Sequence, residues 1–134
     1  MLRIWMMLAA VVMWAGAAQA QDSAEIEDVI TQQLNAFVER DVEGAWQFAS
    51  PMIQRMFRTP GNFGRMVEEG YPMVWDNRDA EFMENDGADG LIQQKVFIRD
   101  TEGNGWLLLY AMIETADGWR INGVQVVPAP ELAA

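Results

Sequence analysis

The sequence predicts an α+β fold, with N-terminal helices packed on one face of a curved antiparallel sheet, after a cleaved signal peptide. Three observations predict it. Apolar residues recur at helical spacing from Ile26 to Val67, they alternate at strand spacing from Leu91 to Val127, and polar, glycine-rich turns punctuate the second half.

The chain opens with a short positive start, Met1-Leu2-Arg3. An apolar run from Ile4 to Met13 follows, then mostly small residues ending in Ala18-Gln19-Ala20. These are the three parts of a secretory signal peptide, so cleavage is expected after Ala20. Residues 1–20 are thus read as signal peptide and 21–134 as one domain with a short tail from 128. The run is short for a membrane span of about 20 residues, so no stable membrane anchor is expected after cleavage. The protein is expected in the periplasm or outside the cell.

Asp22 and Glu25 have the spacing of a capping box, and Ile26, Val29, Ile30, Leu34, Phe37 and Val38 follow on one helical face. The spacing predicts a helix from about Ser23 to Arg40. Asp41 caps a second, short helix bearing Ala45, Trp46, Phe48 and Ala49. Ser50-Pro51 and Thr59-Pro60 each pair a capping hydroxyl with proline at the first helical position. They open helices with Met52, Ile53, Met56 and Phe57, and then Phe63, Met66 and Val67, on their apolar faces. Gly70 ends the last one.

Ala80 to Glu84 reads as a first strand before the turn Asn85 to Gly90. In Leu91 to Arg99, Ile92, Gln94, Val96 and Ile98 share one face. After the turn Asp100 to Gly105, Trp106 to Thr115 is apolar on both faces and reads as a central strand. Its second face needs cover, from a homodimer contact or an enclosed pocket. Trp119 to Val127 is the last strand, where Asn122-Gly123 suggests a bulge or close backbone approach.

Composition excludes several chemistries. The 134 residues include no cysteine and no histidine, which removes thiol chemistry, histidine bases and the usual zinc ligand sets. The net charge is −11, and losing Arg3 with the leader makes it more negative. Such a surface repels phosphate, so no nucleic acid partner is expected. Glu81, Glu84, Asp86 and Asp89 cluster without EF-hand spacing and read as a solvated turn. No metal and no cofactor is expected.

The run Leu34 to Phe37 with Asp41 to Pro51 resembles the opening of nuclear transport factor 2-like domains, and Gly118 to Val124 resembles their last strand. More closely, Phe48-Ala49-Ser50-Pro51, Met66-Val67 with Gly70-Tyr71-Pro72, Gln94, Tyr110 with Met112, and Trp119 to Val124 resemble an uncharacterised family of small exported bacterial proteins, a domain of unknown function within that superfamily. The resemblance spans residues 25 to 127. It implies a cone: a curved sheet wrapped round helices with a pocket at the open end. It imports no activity, since such cones serve isomerases, dehydratases, binding domains and adaptors.

Four residues are candidates to line that pocket. Gln94 puts an amide on an apolar strand face, where it needs a partner; a ligand would serve, and so would backbone. Tyr71 and Trp75 follow the last helix of the first half, where a cone places its rim. Tyr110 shares a strand face with Trp106, Leu108 and Met112. Aromatic rings with polar tips suit a pocket mouth, and equally suit ordinary packing. Trp46, Phe57 and Phe63 read as core. Asp100 and Glu114 would do acid–base work only if buried, and both fall at turns or strand ends; no catalytic residue is assigned. The expected function is non-catalytic binding of a small apolar ligand or a partner. The alternatives are an envelope adaptor acting through its sheet face and a cofactor-independent lyase or isomerase using tyrosine and a buried carboxyl.

Overall fold

The computed structural model describes residues 2–133, with side chains described from Ala18 onward. Most of the expected leader therefore lies outside the residues whose side chains are described. Among the described residues, no helix is long and apolar enough to cross a membrane.

The first helix, α1 (Leu2–Val38), runs unbroken through the position where a capping box was expected. No glycine or proline separates Ala18 from Ser23, and alanine and glutamine sustain a helix well. Asp22 accepts a hydrogen bond from the Trp119 indole N–H at 3.4 Å instead of capping. The helix ends at Val38, the last of its periodic apolar residues and two residues before the expected Arg40. Arg40 sits at φ 62°, and the amides of Arg40 and Asp41 bond back to Phe37 and Ala36. That is the left-handed stop in which two backbone bonds close the last turn.

The short helices follow their punctuation. The Asp41 side chain caps α2 (Val42–Trp46) at Gly44 N–H, 2.9 Å. Ser50 caps α3 (Pro51–Phe57) at Ile53 N–H, 3.3 Å, and Thr59 caps α4 (Pro60–Gly70) at Asn62 N–H, 3.1 Å. Tyr71-Pro72 opens one more turn, α5 (Pro72–Trp75). Gly64 lets α4 approach α2, since a Cβ there would lie 2.5 Å from Val42 Cγ1.

Four strands form one antiparallel sheet in sequence order: β1 (Arg78–Ala88), β2 (Leu91–Arg99), β3 (Gly105–Thr115) and β4 (Gly118–Pro128). β1 is longer than the sequence suggests, because polar residues at an exposed edge carry no alternation. Asp89 and Gly90, both at positive φ, make the β1–β2 turn. The register of β3 on β4 shifts between Ala111 and Met112, which leaves Asn122 unpaired as a bulge beside Gly123. There the linker between α2 and α3 joins the sheet edge: Ala49 bridges Ile121 in parallel, and Ser50 Oγ donates to Asn122 Oδ1 at 2.7 Å. The final residues form a last turn, α6 (Pro130–Ala133), folded over Phe97 and Gly105.

Helices of the N-terminal half lie on one face of the sheet. Ile26, Ile30, Leu34 and Phe37 of α1 join Val96, Ile98, Leu108, Met112 and Ile121 in a single buried cluster. Burying a side chain of this kind contributes roughly 1.5–3 kcal/mol. On the other face, Leu107, Leu109 and Ile113 stay half-buried, and Leu91 is 63% exposed.

Candidate functional site

The four sequence candidates separate into two pairs. Tyr71 and Tyr110 line one cavity of about 230 Å³; Gln94 and Trp75 do not border it.

Gln94 is fully buried on the helix-facing side of β2, and every part of its amide is used. Its Nε2 donates to Met83 O and Lys95 O, each at 2.9 Å, and its Oε1 accepts from Asn85 Nδ2 at 3.2 Å. The reason lies in β1. Its register shifts between Phe82 and Asn85, so two β1 residues oppose Lys95 and the Met83 carbonyl leaves the ladder. The Gln94 amide fills that gap. Asn85 also donates to Ser23 Oγ of α1 at 3.1 Å, which ties the hairpin to the helix. Strand alternation exposes the need for a partner but not the bulge that supplies one.

Trp75 closes the C-terminal end of α1. Its ring lies 6.0 Å from that of Phe37, and the Arg40 guanidinium sits 4.6 Å above it. Arg40 also donates to Trp75 O at 3.0 Å and pairs with Asp76. Asn77 Nδ2 adds bonds to Leu34 O and Val74 O at 3.0 and 2.7 Å. This corner is stapled shut by its own side chains.

The cavity lies between α3, α4 and the β3–β4 half of the sheet. Ile53, Met56 and Phe57 of α3 form one wall, and Phe63, Met66 and Val67 of α4 form the next. Tyr110, Ile121, Val124 and Val126 provide the sheet side, and Gln33 and Phe37 of α1 close the end. Phe63 anchors the wall, with ring centroids 5.9 Å from Phe37 and Phe57 and 5.6 Å from Trp46. None of the described lining residues carries a charge. Exposure grades from the rim, with Met56 at 61% and Tyr71 at 37%, to Tyr110 at 1%.

Two of the buried lining residues, Gln33 and Tyr110, carry polar groups. Gln33 Nε2 donates to Ala45 O at 3.0 Å, fixing the orientation of its amide. The Tyr110 hydroxyl is different: among the described residues it is the one buried side-chain polar atom that no hydrogen bond reaches. Burial pushes its pKa well above the usual phenol value of 10.0, so it remains a neutral donor at physiological pH.

Neither of the two carboxyls with a displaced pKa lines the cavity. Asp100 is held below its usual range chiefly by the Trp106 indole N–H, which donates to Oδ2 at 2.9 Å. Backbone N–H groups of Glu102 and Asn104 also donate to it, so it organises the β2–β3 turn. Glu84 is lowered by backbone hydrogen bonding and then by Lys95, at the exposed edge. Glu114 is exposed.

A more open groove of about 390 Å³ runs between α1 and β1. Glu39, Arg78 and Asp79 line it, and it borders no unpartnered buried group. The apolar cavity is therefore the better-formed site. Of its lining residues, Phe57 and Phe63 read in sequence as core, and Ile53 and Met66 only as parts of apolar helix faces. Apolar periodicity marks a buried face, but not which stretch of that face borders open space.

A family model described as "Domain of unknown function (DUF4864)" matches residues 19–134, and the chain belongs to that family. No curated protein and no solved structure matches it.

Proposed function

We propose that this DUF4864 protein is an exported, non-catalytic binding domain of the nuclear transport factor 2-like kind, and that the cavity between α3, α4 and the sheet takes up a small apolar ligand. The observation that carries the reading is an uncharged cavity with an adaptable methionine rim, lined by Tyr110, whose buried hydroxyl has no partner. Its size supports a small compound, since a cavity of roughly 150 Å³ lined by apolar residues already binds benzene. That the shifted carboxyls Asp100 and Glu84 lie outside the lining favours binding over acid–base chemistry.

Export is supported by the apolar run and the Ala18-Gln19-Ala20 ending, and by a family match that starts at residue 19. On this reading a bacterial cell removes residues 1–20, and the domain from Gln21 works in the periplasm or beyond the cell. The acidic surface would keep it soluble and away from nucleic acid and anionic membranes.

Native mass spectrometry of the protein purified from the cell envelope tests the binding reading. An adduct that disappears on denaturation supports it. A bare mass, together with failure of the cavity to take up an added apolar probe, overturns it.

A second reading concerns the opposite sheet face. Leu91 is largely exposed there beside the half-buried Ile113, Leu109 lies further along β3, and the C-terminal turn covers the other end, near Phe97 and its partner Leu107. A homodimer through this face would complete the cover that β3 needs, and would also suit an adaptor. Sedimentation equilibrium decides it: a dimer that Leu109→Lys dissociates is expected, and a monomer at micromolar concentration rejects it.

A further inference from the structure

The depth and chemistry of the cavity also constrain which end of a ligand enters first. The rim residues Met56 and Tyr71 are partly exposed, and the walls between rim and floor are aliphatic or aromatic. The Tyr110 hydroxyl is the buried polar atom without a partner, and it belongs to a residue that lines the cavity. Gln33, which also lines the cavity, gives one amide N–H to Ala45 O. Tyr110 itself is held at the centre of the sheet, in register with Gln94 on β2 and Val124 on β4. Its ring cannot swing to solvent without leaving that row.

A buried donor gains most from an acceptor that arrives with the ligand, because the bond then forms where water does not compete. A charged head would lose its hydration with no opposite charge among the described lining residues to replace it. Resting on the binding reading above, we propose that the ligand is an uncharged, compact apolar compound with one hydrogen-bond acceptor, a carbonyl or ether oxygen, and that it binds acceptor-first on the Tyr110 hydroxyl. Its apolar body then packs against Phe63, Met66 and Val124 and faces the methionine rim.

The test uses three probes of nearly one shape: acetophenone, isopropylbenzene and benzoate. Acetophenone and isopropylbenzene have the same number of non-hydrogen atoms and differ in the acceptor; benzoate adds a charge. Each is titrated into the full chain and followed by the methyl NMR signals of Ile121 and Val124. The two neutral probes differ in hydration as well as in the acceptor, so the readout is how their affinity ratio changes when the hydroxyl is removed. Tyr110→Phe is expected to weaken acetophenone roughly tenfold relative to isopropylbenzene, the effect of one net hydrogen bond, and benzoate is expected to bind more weakly than both in the wild-type protein. A ratio that Tyr110→Phe leaves unchanged overturns the acceptor-first placement while leaving the cavity reading intact. Preference for benzoate overturns the uncharged class. If no probe shifts a cavity methyl, this proposal and the binding reading fall together. If the variant does not fold, intermolecular NOEs in the wild-type protein decide: contacts between the acetophenone methyl group and the Tyr110 ring are expected, and their absence from a bound complex overturns the placement.

Discussion

Gln94 and Tyr110 face each other across β2 and β3, both are buried, and both carry a polar end into the same helix-covered layer. One is fully satisfied and the other has no partner. The difference comes from their neighbours. Beside Gln94, a β1 bulge frees a carbonyl and Asn85 offers a donor, so the amide closes a gap in the sheet. Beside Tyr110, β4 presents Val124, and the helices above present apolar side chains that stop short of filling the space. A buried polar residue thus reports structure at one position and a candidate binding site at the next.

The largest expected effect lies at the satisfied position. Gln94→Leu takes the side-chain donor away from the Met83 and Lys95 carbonyls, while the exposed Asn85 keeps Ser23 and water, and it should cost about 2 kcal/mol in urea unfolding. A cost near zero would mean that the bulge does not need this amide. The sign reverses at Tyr110. Tyr110→Phe removes an unpaired buried hydroxyl, so the ligand-free protein should gain about 1 kcal/mol; a clear loss in calorimetry would show that the hydroxyl has a partner after all.

Asp100 supplies a third case, a polar group satisfied at the sheet's turn end. Its native pKa lies below the ordinary 3.8, so the unfolded chain binds more protons in the window between the two values. Its contribution is complete above the unfolded pKa and is lost as pH falls through the native one. Asp100→Asn should cost under about 1 kcal/mol at neutral pH and flatten the acid limb of the stability curve. A variant with an unchanged acid limb contradicts this. The smallest effect belongs to the rim: Met56→Ala, at a largely exposed site, should change stability by about 0.5 kcal/mol or less. A larger loss would make the rim part of the core.

Much of the fold is legible in the sequence because its punctuation is local. Ser50-Pro51, Thr59-Pro60 and Gly70 set helix limits that a single turn of chain decides, and Asn122-Gly123 marks a bulge. The start of α1 is not legible, since Asp22 and Glu25 have the spacing of a cap yet lie inside a longer helix. The site is legible only in part. A tyrosine on an apolar strand face identifies Tyr110 as notable, but Gln94 has an equally notable pattern. What distinguishes them is the register of β1 and the volume left between α3, α4 and β4, and both are set by long-range packing. Trp75 shows the same limit from the other side: its position after the last helix suggests a rim, while Arg40, distant in sequence, covers its ring.

The apolar, ligand-accepting cavity borders Tyr110 and not Gln94, its cross-strand neighbour. Methyl NMR of the full chain with and without benzene tests it directly. Shifts are expected at Ile53, Val67, Ile121 and Val124, with Val96 beside Gln94 and Ile113 on the outer face unchanged. Shifts at Ile113 without any at Val124, or no shift at a cavity methyl, would contradict it.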